Sequence, residues 1–132
     1  DDLQGEKAYS GARAYNQSKL ANVMFTYELA RRLTGTGVTA TALHPGMTNT
    51  SFSAEDPSRA FAPLVMVMRP FMKKPERGAD TPVYLASSPA AAGLTGQYFA
   101  NQEAKKSNAS SYDTAAAARL WQVSADLVGM RS

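Results

Sequence analysis

The chain has 132 residues, 44% of them hydrophobic, with 14 basic against 11 acidic residues, a net charge of +3 and no cysteine. That length bounds it to one domain with a packed core. The lack of cysteine excludes disulfides and thiolate metal sites, the single histidine excludes a multi-histidine metal cluster, and no basic run longer than Lys73-Lys74 or Lys105-Lys106 suggests nucleic acid.

No run approaches the ~18 apolar residues of a membrane span, and no signal peptide opens the chain. The start at Asp1, without methionine, reads as a fragment. A cytoplasmic location is expected, with a membrane anchor in the missing part of a longer parent chain left open. The glycosylation patterns at Asn16, Asn49 and Asn108 read as chance.

Residues 1–13 are polar and glycine-interrupted, a surface loop that Ser10 could cap as it enters a helix. That helix is predicted from about Gly11 to Leu33. Leu20, Val23, Met24, Tyr27 and Ala30 make one apolar stripe, and Ala21, Phe25, Leu29 and Leu33 a second, so more than one side is covered. Arg31-Arg32 and Gly35 close it. Gly35-Thr36-Gly37-Val38-Thr39-Ala40 matches G-x-G-x-x-A, but a phosphate loop follows a strand and opens a helix. This segment does the reverse and reads as a turn.

Val38–Leu43 reads as a short strand buried on both faces of a parallel sheet, ended by His44-Pro45-Gly46. Ligands of open α/β sheets bind just beyond the carboxyl ends of strands, which puts the loop Pro45 to Ser51 where a cofactor belongs. Residues 61–72, with Phe61, Leu64, Met68 and Met72, read equally as a packed helix or as a lid over an apolar substrate. A helix over Glu76–Ser87 is expected to kink at Pro82, which removes a hydrogen bond to Gly78. Thr95–Ala100 reads as a second strand, Asn101–Tyr112 as a loop, and Asp113–Val128 as a helix stopped by Gly129. Ala116, Leu120, Val123 and Leu127 are predicted on its packed face, with Trp121 off that stripe as an anchor.

The first helix carries Tyr15 and Lys19, four residues apart and so on one face. An ammonium fixed beside a phenol favours the phenolate, which brings a phenolic proton within reach of transfer near neutral pH. A carbonyl that accepts hydride develops negative charge, and a phenol beside a cation can deliver a proton to it. The bland alternative is a half-buried tyrosine beside a solvated lysine.

Ala14-Tyr15-Asn16-Gln17-Ser18-Lys19-Leu20-Ala21-Asn22, then Gly35-Thr36-Gly37, a strand, and His44-Pro45-Gly46-Met47-Thr48-Asn49-Thr50 resemble the C-terminal half of a short-chain dehydrogenase/reductase. Asp2-Leu3-Gln4-Gly5-Glu6-Lys7 and Arg119-Leu120-Trp121-Gln122-Val123-Ser124 are similar to stretches of its retinol-dehydrogenase-like branch. The resemblance implies that residues 1–132 are the C-terminal half of one NAD(P)-binding domain, an incomplete Rossmann-type, doubly wound, three-layer α/β sheet. Its activity would be hydride transfer between a nicotinamide cofactor, NADP somewhat favoured over NAD, and a small apolar alcohol or carbonyl substrate. Tyr15 would be the acid/base, and Lys19 would assist it and bond the cofactor ribose. Tyr15, Lys19, Pro45, Gly46, Thr48 and Thr50 would contact the cofactor. Thr48 stands where the family more often has valine or isoleucine.

His44 is a neighbour but not the expected base, because the residue before Pro-Gly varies in such enzymes. The glycine-rich loop and the catalytic serine belong upstream. No serine lies between Asp1 and Tyr9, and Ser10 and Ser18 are too close to Tyr15 along the chain to serve. The resemblance also implies a homodimer through the helix after Tyr15. The competing expectation is a catalytically inactive fragment or pseudoenzyme-like module that acts by helix-mediated association. The two strands are expected to be adjacent and parallel, the first pairing also with a strand upstream of Asp1.

Overall fold

A computed structural model of the chain describes residues 5–7, 9–45 and 78–130. Helix α1 spans Gly11–Arg32. Between Ala12 and Arg32 there is no glycine or proline, and Val23 and Thr26 are the only β-branched residues, so nothing interrupts the ladder. Ser10 is the N-cap by backbone, with its carbonyl accepting from Ala14 N–H at 2.8 Å, but its side chain makes no capping bond. Leu33 is the C-cap, and Gly35 follows at φ +82, a left-handed conformation that glycine adopts without strain. Gly37 repeats it at φ +79. The Gly35–Gly37 segment is therefore the turn that its order of elements required.

Strand β1 spans Thr41–His44, β2 spans Gln97–Ala100 and β3 spans Glu103–Lys105, and they pair in the order β1-β2-β3. Ala40 O accepts from Gly96 N–H at 2.8 Å, so the two chains enter β1 and β2 side by side and run parallel. Helix α2, Asp80–Ser87, lies in the crossover between them, as a parallel pair requires. This is α/β architecture of the Rossmann type, in part. The adjacent, parallel placing of the two expected strands is found, although β1 starts three residues late and is half-buried instead of covered on both faces.

Three expectations are corrected. Glu103–Lys105 is a strand and not loop: Asn101 and Gln102 both have positive φ, 54 and 63, the geometry of a tight hairpin turn that brings β3 back antiparallel. The sheet is therefore mixed. Next, Pro82 is not interior to a kinked helix. The chain is helical at Gly78, bends at Ala79 and is helical again from Asp80, so Pro82 lies in the first turn, where no N–H partner is needed. Finally, helix α3, Thr114–Leu127, buries the expected face only in part: Ala116, Leu120 and Val123 are half-buried and Ala117 and Ala125 beside them are buried, whereas Leu127 is 66% exposed.

The chain divides into two compact units. One is built from Asp1–Ala42, Gly93–Tyr98 and Lys105–Ser132, the other from Leu43–Ala92 and Phe99–Ala104. In the first, α1 packs on α3 and on the 3-10 turn Ala109–Tyr112. Met24, Tyr27 and Ala30 of α1 are buried, as the first predicted stripe requires. Gly96 sits against this helix, and a Cβ there would meet Ala30 Cβ at 3.5 Å. Trp121 of α3 stacks on Phe25 at 4.9 Å between ring centroids, and the Arg32 guanidinium covers Trp121 at 4.6 Å. The expected anchor is thus clamped between helices. In the second unit Phe99 and Ala91 are buried, and Thr81 Oγ1 accepts the Gln102 N–H at 3.1 Å, tying the hairpin turn to α2. Among the described residues no helix is long and apolar enough to cross a membrane.

Candidate active site

Tyr15 and Lys19 lie one turn apart on α1, upstream of the residues that the helix buries. Tyr15 is 50% exposed, so its ring and hydroxyl are open to an incoming molecule. Lys19 Nζ lies over the Tyr15 ring, 5.2 Å from its centroid. A cation at that distance from an aromatic face is attracted to it, which holds the ammonium beside the phenol ring. Ser18 donates to Tyr15 O at 2.8 Å, a local helix bond. Its hydroxyl is directed to the backbone and does not join the pair.

Pro45 follows β1 directly and is exposed. It stands at the carboxyl end of a strand, where open α/β sheets take their ligands. Gly46, Thr48 and Thr50 lie outside the described residues, as do the proposed lid, Phe61 to Met72, and the start of the helix at Glu76. His44 is exposed at the end of β1.

Two polar clusters escaped the sequence reading. Glu28 is buried on α1 at 7% exposure, with its carboxylate bonded to Arg31 at 2.6 Å and to Arg32 at 2.7 Å. The Arg31 guanidinium is the main reason its carboxyl is held below the usual value. A Glu three and four residues before two arginines was the available signal. The second cluster joins α1 to residues 107–112. Tyr27 and Ser107 hydroxyls pair at 2.7 Å, Ser107 and Ser111 hydroxyls at 2.6 Å, and Ser111 donates to Asn108 O at 2.6 Å. Tyr112 stacks on Tyr27 at 5.5 Å, and its hydroxyl accepts from Ser107 N–H at 3.1 Å. Burial pushes the Tyr27 phenol up, while Ser107 hydrogen bonds push the Tyr112 phenol down. These residues are far apart in sequence, so no local pattern announces them.

Residues 3–60 match the family model of the short chain dehydrogenases. The chain is 40% identical to retinol dehydrogenase 14 of Homo sapiens over 136 residues, covering 98% of this chain and 39% of that protein. It is 41% identical to retinol dehydrogenase 12 of Homo sapiens over 130 residues, covering 98% and 40%. Against dehydrogenase/reductase SDR family member 13 of Bos taurus it is 41% identical over 122 residues, covering 89% and 32%. The chain thus spans about two fifths of the length of the curated retinol dehydrogenases it matches. With its parallel strand pair, crossover helix and Tyr15–Lys19 turn, the chain belongs to the short-chain dehydrogenase/reductase family, on the retinol-dehydrogenase-like side.

Proposed function

We propose that the protein containing this chain is an NAD(P)-dependent oxidoreductase of small apolar alcohols and carbonyl compounds, with Tyr15 as its acid/base. The observation that carries this reading is the exposed Tyr15 phenol with the Lys19 ammonium held over its ring at 5.2 Å. A bound nicotinamide supplies or accepts the hydride. Everything else falls to the chain. Tyr15 Oη gives its proton to the substrate oxygen in the direction of reduction and takes one in the direction of oxidation. Lys19 stabilises the negative charge that passes through the Tyr15 oxygen and offers N–H donors to the cofactor ribose hydroxyls. The exposed donor set of phenol and ammonium fits a ligand rich in hydroxyls. By the family resemblance, Pro45, Gly46, Thr48 and Thr50 are the residues assigned to the nicotinamide end of the cofactor, and of these Pro45 is at the carboxyl end of β1. NADP is the expected cofactor ahead of NAD, and the first α-helix the expected contact of a homodimer.

Residues 1–132 then form the C-terminal half of one oxidoreductase domain, with the phosphate loop and the serine supplied by the rest of the protein. The relatives named retinol dehydrogenase favour a long apolar alcohol as substrate. The test is an assay of the whole protein with NADP or NAD and a panel of retinoid, steroid and aliphatic alcohols. Cofactor-dependent oxidation of at least one supports the reading, and no turnover of any of them in either direction contradicts it.

A further inference from the structure

Among the described residues, backbone strain gathers at one turn. Asn101 and Gln102 are the only non-glycine residues there with positive φ, 54 and 63. A side chain in that region costs energy that glycine avoids, and it persists only where the surroundings demand it. Part of the demand is plain. Thr81, buried at 4% exposure, accepts the Gln102 N–H at 3.1 Å. That bond uses a backbone donor, however, and glycine would supply it equally well. It accounts for the turn and leaves the glutamine side chain unexplained.

The place of the turn in the sheet gives that side chain a use. Strands β1 and β2 both start just past the bond from Gly96 N–H to Ala40 O, and each is four residues long. They run parallel, so Pro45 after β1 and Asn101 after β2 leave the sheet at the same end, the end where such sheets take ligands. Neighbouring strands lie ~4.8 Å apart, so a molecule resting against Pro45 comes within reach of the turn. Gln102 is exposed there, and its amide offers both donors and an acceptor. Beyond the turn, β3 carries the exposed charges of Glu103 and Lys105, which suit a sheet edge that faces water. The sheet therefore continues at β1. A cofactor whose phosphate loop comes from the rest of the protein then runs from Pro45 away from β2, and the ligand left for the β2 end is the substrate. We propose that the Asn101-Gln102 turn borders the substrate, and that the Gln102 amide selects substrates with a second oxygen, a hydroxyl or carbonyl remote from the reacting one. The proposal rests on the oxidoreductase reading above.

The test uses the whole protein and two probes, decanol and the decanediol hydroxylated at both ends. Their dissociation constants are measured without cofactor, so no turnover is needed. The diol is expected to bind about fivefold tighter, the worth of one hydrogen bond. Two variants separate the amide from the strain. Gln102→Gly removes the amide and relieves the backbone, and Gln102→Met removes the amide and keeps the length and the strain. Both are expected to abolish the preference for the diol, while only Gln102→Gly raises the melting temperature, by about 2 °C or more. No preference in the native protein, or a preference that survives both variants, overturns the role of Gln102. A melting temperature that Gln102→Gly leaves unchanged or lowers overturns the argument from strain. The enzyme reading fails separately: a preference that depends on Gln102 in a protein with no cofactor-dependent turnover supports the contact and contradicts that reading, and turnover with the preference unaltered does the reverse.

Discussion

At the scale of single residues, the sequence is most legible where side chains interact along one helix. Tyr15 and Lys19 needed only the helical period to be paired, and they are paired. Glu28 obeys the same rule but was masked by the apolar residues around it. Arg31 and Arg32 read as helix-end charges, whereas they hold a buried carboxylate. The folded carboxyl lies below its ordinary value of 4.5. Its stabilising contribution is therefore full above the unfolded value and is lost as pH falls through the folded one. Acidification below about pH 4.5 should lower the melting temperature of the native chain more than that of Glu28→Gln. At neutral pH the variant should lose about 1 kcal/mol, a figure kept small because the arginines stay partly in water. Parallel pH–melting curves for the two proteins would contradict this. Lys19→Met should weaken cofactor binding in the whole protein, read as a raised dissociation constant in a fluorescence titration, and unchanged affinity would remove Lys19 from the ribose.

At the scale of elements, α1, α3 and the parallel strand pair followed from period, caps and short apolar runs. Strand β3 did not, because Glu103, Ala104 and Lys105 are all exposed and show no alternation. Its turn also uses Asn101-Gln102, with glutamine at a positive φ that glycine would ordinarily supply. The bond from Gln102 N–H to the buried Thr81 hydroxyl helps hold that turn. The tertiary contact, which no local pattern records, supplies what local sequence lacks. Trp121 makes the opposite case: its size alone marked it as an anchor, and it joins α3 to Phe25 and Arg32 of α1. Trp121→Ala should cost about 2–3 kcal/mol by removing a large, partly buried ring and its stacking partners. Trp121→Phe should recover much of that. A thermal melt of Trp121→Ala within a degree or so of the native one would show that the clamp carries no stability. The ~4 °C or more that each kcal/mol is worth in a small domain makes the difference easy to see.

At the scale of the whole molecule, β1 has one strand neighbour among the described residues, β2, and its second edge has none. An unpaired edge beside apolar side chains is a template for association. Residues 1–132 alone should therefore sediment as more than a monomer, and a single monomeric species with a sharp melt would contradict the packing argument. The same incompleteness explains how far the candidate site could be read. The helical pair was legible because both its members lie on one helix, whereas a cofactor cradle is assembled from many segments of a chain that spans two fifths of its relatives. The central claim is proton transfer by Tyr15, and Tyr15→Phe in the whole protein tests it with the loss of one hydroxyl. Turnover should fall by ~100-fold or more while the nicotinamide dissociation constant stays nearly unchanged. Retention of more than about a tenth of the native rate, below what general acid–base catalysis contributes, would contradict it.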